Sequence, residues 1–288
     1  MISDFTALDL SHKKLIEGYL KKNKRTSSDN VFNTLFLWQG VLSCQFALVE
    51  GFLCICANIN GKPLFYMPSG EGNLGKCLES LKNMTGDDLR FTGINFADVM
   101  RLKKCCPCMK FVPVRDYSDY IYRQRDLACL PGKKYHAKKN HINKFMKLYG
   151  SRYSFLPVTI CDIPKCRAFM DLCLEKQGGD TYEEKSAMDI MFDNFGRLDI
   201  QGAVLRIDGK ICAMTFSEAL NEKTALVHVE KADKDYEGIF AAINMLYARD
   251  FLSDFMYINR EEDMGIPGLR RAKESYHPVF MAVKYRSV

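Results

Sequence analysis

Acidic side chains are missing from one long stretch of this 288-residue chain, and long apolar runs are missing from all of it. One uncharged stretch, Val31 to Val49, contains Asn33, Thr34, Gln39, Gly40, Ser43 and Gln45. That is too much polarity for the roughly 20 apolar residues of a membrane-spanning helix, and the stretch reads as a buried helix followed by a strand. The first residues carry Asp4 and Asp9 with no basic flank before an apolar core, which excludes a secretory signal pattern. A soluble, cytoplasmic protein is the expectation. No low-complexity tract is present, and 12% aromatic residues exclude a disordered chain. The 12 cysteines form no regular framework, and a chain of this length needs no disulfide staples. Cys54, Cys56 and Cys212 sit in apolar runs, where cysteine acts as a small hydrophobe. Cys105-Cys106-Pro107-Cys108 with His136 and His141 is the grouping that most resembles a metal site. No second Cys-x-x-Cys follows and the histidines lie about twice as far away as in a zinc finger, so no metal is expected.

The missing acids have a place. Between Asp126 and Asp162 the only charges are Lys133, Lys134, Lys138, Lys139, Lys144, Lys147 and Arg152. The net charge of +6 comes from 41 basic and 35 acidic residues, so these seven account for it. The strip coincides with a predicted helix over 137–149, whose Ile142, Phe145, Met146 and Tyr149 form an apolar stripe. A solvated face normally mixes signs. One with no acids reads as a phosphate-binding surface, with Tyr135, His136 and His141 available to stack or hydrogen-bond on RNA. A second basic group, Lys13, Lys14, Lys21, Lys22, Lys24 and Arg25, could extend it.

Hydrophobic periodicity divides the chain into two similar halves. The first reads as a helix over 11–22, a short helix after Asp29, and strands at 45–49, 52–58 and 64–67 with turns at Glu50-Gly51 and Asn60-Gly61. A helix over 73–84, a strand at 90–94, a helix at 97–103 and a strand at 111–114 complete it. The second reads as helices at 137–149, 163–176 and 182–195, strands at 202–207, 210–218 and 224–230, a helix at 238–251, a strand at 256–259, a helix at 268–274 and a last strand at 279–285. Ile94-Asn95-Phe96 and Ile258-Asn259-Arg260 end equivalent strands. A diverged duplication follows, with domains at 1–115 and 116–288 and a connector over 116–126.

This element order resembles the Gcn5-related N-acetyltransferase fold. Two segments carry a closer likeness: Arg123-x-x-Asp126-Leu127-x-x-Leu130-x-Gly132-Lys133-Lys134-Tyr135-His136-x-Lys138 and Asn259-Arg260-Glu261-Glu262-Asp263-x-Gly265-x-x-Gly268-Leu269-Arg270-x-x-Lys273-x-Ser275-Tyr276-His277-Pro278. Together they resemble the bacterial family grouped with the C-terminal catalytic domain of phosphatidylglycerol lysyltransferases, which is similar to the Fem-type aminoacyltransferases. The resemblance implies an α+β chain of tandem acetyltransferase-like domains, each a mixed, mostly antiparallel sheet flanked by helices. It also implies acyl transfer.

Acetyl-CoA users of this fold hold the pyrophosphate on a Gln/Arg-x-x-Gly-x-Gly/Ala loop and the helix N-terminus after it. Here the run is Asp235-Tyr236-Glu237-Gly238-Ile239-Phe240, in which Gly238 alone fits as a cofactor-binding residue. The donor is therefore expected to be an aminoacyl-tRNA, its phosphates on Lys133, Lys134, Lys138 and Lys139, with acyl-CoA as the alternative. A non-enzymatic RNA- or protein-binding tandem domain is the third possibility. The acceptor is an amine or hydroxyl on a small molecule, lipid headgroup or peptide, and no firm cofactor is implied. Acyl transfer needs a base, a donor to the carbonyl oxygen and an acid for the leaving group. Glu218 and Glu230 at strand ends, and Tyr276 by likeness to the tyrosine acid of many acetyltransferases, are the candidate catalytic residues. His228 shares a strand face with Glu230, and His228, Asn259 and Asp263 are candidate substrate-binding residues.

Overall fold

The computed structural model describes residues 4–23, 27–59, 62–86, 89–179 and 181–288. Lys24, Arg25 and the Asn60-Gly61 turn lie outside them. The chain forms two compact units: Met1–Asp119 with Glu262–Pro267 and Met281–Val288, and Tyr120–Glu261 with Gly268–Phe280.

The first unit runs β1 (Thr6–Ala7), α1 (Lys13–Leu20), α2 (Phe32–Leu37), α3 (Gln39–Leu42), β2 (Gln45–Val49), β3 (Phe52–Ile59), β4 (Lys62–Phe65), β5 (Ser69–Gly70), α4 (Leu74–Thr85), α5 (Phe96–Cys105) and β6 (Phe111–Pro113). Its sheet has the order β1-β2-β3-β4, with β5 also on β3. The β2–β3 turn places Glu50 at φ 51° and Gly51 at φ 81°, the two positive angles of a tight hairpin turn. A Cβ on Gly51 would also press on the Glu71 carbonyl oxygen. Strand alternation in β3 builds two cores. Phe52, Cys54 and Cys56 face α4 and α5 residues such as Leu78, Leu81 and Leu102, while Leu53, Ile55 and Ala57 pack with Ile16, Leu20, Phe32 and Leu35. Cys54 and Cys56 thus serve as the small hydrophobes expected. The 90–94 segment is not a strand: Phe91 and Ile94 make isolated bridges to Phe65 and Tyr285.

The second unit contains β7 (Asp119–Arg123), α6 (Gln124–Cys129), α7 (His136–Tyr149), β8 (Tyr153–Pro157), α8 (Ile163–Gln177), α9 (Tyr182–Asp193), β9 (Gln201–Ile207), β10 (Lys210–Asn221), β11 (Thr224–Ala232), α10 (Ile239–Asp250), β12 (Tyr257–Asn259), α11 (Pro267–Glu274) and β13 (Phe280–Ala282). Its sheet order is β13-β7-β12-β11-β10-β9-β8. The 116–126 connector is corrected here, because β7 is an inner strand between β13 and β12. Its tyrosines disguise it: Tyr120 and Tyr122 are fully buried, and the Tyr122 hydroxyl donates to the Lys273 carbonyl at 2.7 Å. On α7, Ile142 and Phe145 are buried, and Phe145 packs in a core with Ile239, Ala242, Ile243 and Leu246 of α10, but Met146 is exposed.

The last strand expected at 279–285 divides into β13 and β14 (Tyr285–Ser287), and β14 pairs antiparallel with β6. Lys284 lies at the break. In the first unit its buried ammonium reaches Asp119 at 2.8 Å, Asp29 at 3.1 Å and Glu262 at 3.5 Å, and the Ser28 hydroxyl at 2.9 Å. Burial opposes its charge, but the three carboxylates hold it well above the ordinary lysine value.

Candidate active site

In the second unit two parallel strands part, and the groove is the gap that opens between their backbones. β11 and β12 pair only over Thr224–Leu226 and Tyr257–Asn259. Beyond that point β11 stays with β10 as far as Ala232, whereas the Arg260 amide donates to the Tyr120 carbonyl and the Tyr120 amide to the Glu261 carbonyl. The backbones diverge, and side chains bridge the gap.

His228 is the extra residue of a β-bulge: Phe216 is level with Val229 and Ser217 with Val227, leaving His228 without an opposite number. Its ring is 4% exposed and lies between two carboxylates, with Nε2 at 2.7 Å from Glu218 and Nδ1 at 3.0 Å from Glu261. Burial works against its charge, but the hydrogen bonds to Glu218 and Glu261 outweigh that and lift the pKa to about 10. The ring is an imidazolium at neutral pH and cannot act there as a base. Glu261 reaches it from a left-handed backbone conformation, φ 56°, stabilised by its amide donating to Asn259 Oδ1 at 2.7 Å. Asn259, fully buried, therefore shapes the turn.

Two residues further along β11, Glu230 accepts from Arg260 Nη2 at 2.9 Å and from Asn244 Nδ2 at 3.0 Å. Both its oxygens are engaged, so it anchors Arg260. The Arg260 guanidinium lies between two tyrosine rings, 5.0 Å from the centroid of Tyr276 and 5.7 Å from that of Tyr122. Tyr276 is 6% exposed and its carbonyl accepts from the Tyr135 hydroxyl at 3.0 Å. Burial raises the Tyr276 pKa, with Arg260 opposing, so the phenol keeps its proton and can donate it. Lys138 Nζ is 3.9 Å from the centroid of the same ring.

The structure thus brings together Glu218, His228, Glu230, Tyr276 and Lys138, with Asn259 beneath them. Asp263 is elsewhere: in the first unit it is fully buried, accepting from Arg115 at 2.9 Å and from the Gly265 amide at 2.9 Å. Lys133 and Lys139 are exposed. Lys134 is 3.8 Å from Asp126, Lys144 pairs with Glu237, and Arg152 pairs with Asp208. Acids absent from the strip along the chain are returned to part of it by folding. Gly238 begins α10 at φ 80°, and a Cβ there would collide with the His141 carbonyl oxygen of α7. Close packing of α7 against α10 accounts for this glycine. Among the described residues no three His, Cys, Asp or Glu side chains are grouped to hold a metal ion.

Sequence reasoning passed over Arg260, Glu261, Asn244 and Tyr122 as site residues. The signals were a lone asparagine inside the apolar run Ala241-Ala242-Ile243-Asn244 and two opposite charges directly after Asn259.

The family described as Phosphatidylglycerol lysyltransferase, C-terminal, matches residues 21–287. The chain belongs to this family. With it comes a class, acyl or aminoacyl transfer in general, without a particular substrate. A conserved protein of unknown function from Bacteroides thetaiotaomicron is 34% identical over 100% of this chain and 99% of its own, with a TM-score of 0.92. L-PGS from Bacillus licheniformis shares 17% identity, covering 95% and 90%, at a TM-score of 0.67. FemX shares 7% identity, covering 98% and 96%, at 0.59. No curated protein matches the chain. The α+β, tandem acetyltransferase-type fold expected from the sequence is the fold observed. Among the described residues, no helix of this family member is long and apolar enough to cross a membrane.

The clamped histidine has a measurable consequence. Its folded pKa lies above the ordinary 6.5, so its contribution to stability is fully present below about pH 6.5 and is lost as pH rises toward about 10. Denaturant unfolding of wild type is expected to weaken over that window more steeply than that of His228→Gln. Parallel pH profiles for the two proteins would contradict the clamp.

Proposed function

We propose that the protein moves an aminoacyl group from a charged tRNA to an amine or hydroxyl acceptor, with the ester carbonyl held in the second unit's groove. The observation that carries this reading is the contrast between a polar groove and an obstructed phosphate cradle. Around Gly238, where a CoA pyrophosphate would need free amides, the Tyr236 amide is taken by the Asp233 carbonyl and the Ile239 amide by the Tyr236 carbonyl, and Glu237 adds a carboxylate bridged to Lys144. Exposed Lys133, Lys139 and Lys147, with no acidic partner among the described residues, are suited to phosphates of a larger donor.

In this reading Tyr276 donates its proton to the leaving oxygen, and Arg260 and Lys138 supply positive potential for the charge that develops on the carbonyl oxygen. Glu218 uses one oxygen on His228 and takes the acceptor's proton on the other. Asn259, Glu261 and Glu230 are positioning residues.

Binding of aminoacyl-tRNA is expected to weaken about 50-fold between roughly 50 and 200 mM salt, as for about four phosphate contacts. Replacing Lys133, Lys134, Lys138 and Lys139 together with Glu is expected to abolish it. Salt-insensitive binding would overturn the reading. Thermal stabilisation by CoA, with none by tRNA, would select the acyl-CoA alternative.

A further inference from the structure

The second unit has another concavity, which shares no residue with the groove. It lies between α8 and the tip of the β9–β10 hairpin and has a volume of about 410 Å³. α8 lines it with Lys165, Ala168, Phe169 and Leu172, the i, i+3, i+4 and i+7 positions of one helix face. The hairpin supplies the other wall with Arg206, Gly209, Lys210 and Ile211. Arg206 and Ile211 are opposite one another in the β9–β10 register, so their side chains share a sheet face. Gly209 turns the chain at φ 80°, and a Cβ there would meet nothing within 4 Å, so the mouth beside it is open.

Two kinds of surface meet in this hollow. Its floor is apolar: Phe169 is buried, Ile211 is half-buried and Leu172 stays 41% exposed. Its rim is cationic. Asp162 holds Arg206 Nη2 at 2.6 Å, and its other oxygen accepts from the Thr159 amide and hydroxyl, so the guanidinium is fixed and the carboxylate fully engaged. Lys165 and Lys210 have no acidic partner within salt-bridge distance among the described residues. Three cations against one carboxylate leave a positive rim over wet hydrocarbon, the combination that marks a ligand groove. The volume falls among small-ligand sites, which occupy roughly 300–1,000 Å³. A protein partner would need about 20–30 residues a side, far more than line this hollow.

We propose that the hollow binds a small amphiphilic anion. A carboxylate or phosphate monoester head sits on Lys165 and Lys210 with Arg206 behind them, and a hydrocarbon tail lies on Ala168, Phe169, Leu172 and Ile211. The head gives both lysines charge-assisted hydrogen bonds, and the tail removes Leu172 and Ile211 from water.

Isothermal titration of the full-length protein with decanoate, and in a parallel arm with decyl phosphate, tests this. At least one of them is expected to bind with 1:1 stoichiometry, and the tighter identifies the head. Acetate, a head without the tail, and decyltrimethylammonium, the tail with the opposite charge, are expected to bind at least tenfold more weakly. Lys165→Glu with Lys210→Glu and, separately, Leu172→Asp are each expected to weaken binding at least tenfold. All three side chains are exposed, so these variants leave the core intact. Lys133→Glu with Lys139→Glu, the same charge change on the basic strip, is expected to leave binding as it was. Binding of neither anion would overturn the proposal, as would equal affinity for decyltrimethylammonium or undiminished binding in either hollow variant. An equal loss in the basic-strip variant would also overturn it, because net charge alone would then explain the binding.

Discussion

Arg260→Ala is expected to lower the stability of the second unit by about 3–5 kcal/mol, because it leaves the Glu230 carboxylate buried with its charge uncompensated. In a domain of this size that is a fall in melting temperature on the order of 10 °C. The pair is only about one-eighth exposed on either side, so solvent screening does little to soften the loss. The guanidinium also fills the space between the Tyr122 and Tyr276 rings, so truncation leaves Tyr276 without a wall. Turnover measured well below the melting temperature is expected to fall about 100- to 1000-fold, the usual cost of removing an electrostatic donor from an acyl-transfer site. Arg260→Met combined with Glu230→Gln separates the two effects: it removes both charges and is expected to recover most of the stability and none of the activity. A single mutant as stable as wild type would show that the ion pair is not buried in solution. An active double mutant would show that Arg260 serves packing alone.

Lys284→Met is expected to destabilise the first unit by a similar amount, about 3–5 kcal/mol. Asp119 is fully buried and already accepts the Ser28 amide at 2.7 Å and the Ser28 hydroxyl at 3.0 Å. Without the ammonium, Asp29, Asp119 and Glu262 lose the cation they share. The sign of the pH dependence follows. The folded pKa of Lys284 lies above its ordinary value, so in wild type its stabilising effect persists through neutral pH and is lost only above about pH 10.5. The variant has no ammonium to lose, so the difference between variant and wild type is expected to shrink as pH rises above about 10.5. Equilibrium unfolding at about pH 8 and pH 11 checks this; a difference that grows in alkali would contradict it. Because Lys284 pairs with Ser28, Asp29, Asp119 and Glu262 of its own unit, none of them given a catalytic role, the folded variant is expected to keep its turnover at temperatures where it remains native.

Features carried by local periodicity were legible in the sequence. The apolar run from Phe52 gave the strand β3, the Glu50-Gly51 turn gave its hairpin, and the apolar positions Ile142 and Phe145 gave the inward face of α7. Family-specific residues, including Asn259 and Tyr276, lay in the segments that carried the likeness. What escaped was produced by the third dimension. β7 looks like a linker because Asp119, Tyr120 and Tyr122 are polar in composition, yet the Asp119 carboxylate and the Tyr122 hydroxyl find partners far away in sequence. Lys284 looks like a surface charge in a strand until three carboxylates surround it. The strip without acids is acid-free only along the chain, since Asp126, Glu237 and Asp208 reach it through folding. Glu230 reads as a base until its two oxygens are seen to be taken. The bulge at His228 and the left-handed turn at Glu261 follow from strand register and an Asn259 side-chain hydrogen bond, neither of which a residue pattern encodes.

The second unit's groove is proposed to transfer an acyl group from tRNA. Single-turnover transfer from radiolabelled aminoacyl-tRNA, followed by loss of the ester and gain of label in an amine or hydroxyl acceptor, tests it most directly. Wild type is expected to deplete the ester far faster than its uncatalysed hydrolysis. Tyr276→Phe, which keeps the ring between Lys138 and Arg260 but removes the proton donor, is expected to bind the same tRNA and transfer at least about 100-fold more slowly. Ester loss no faster than in buffer across the acceptor classes, or undiminished transfer by Tyr276→Phe, would contradict it.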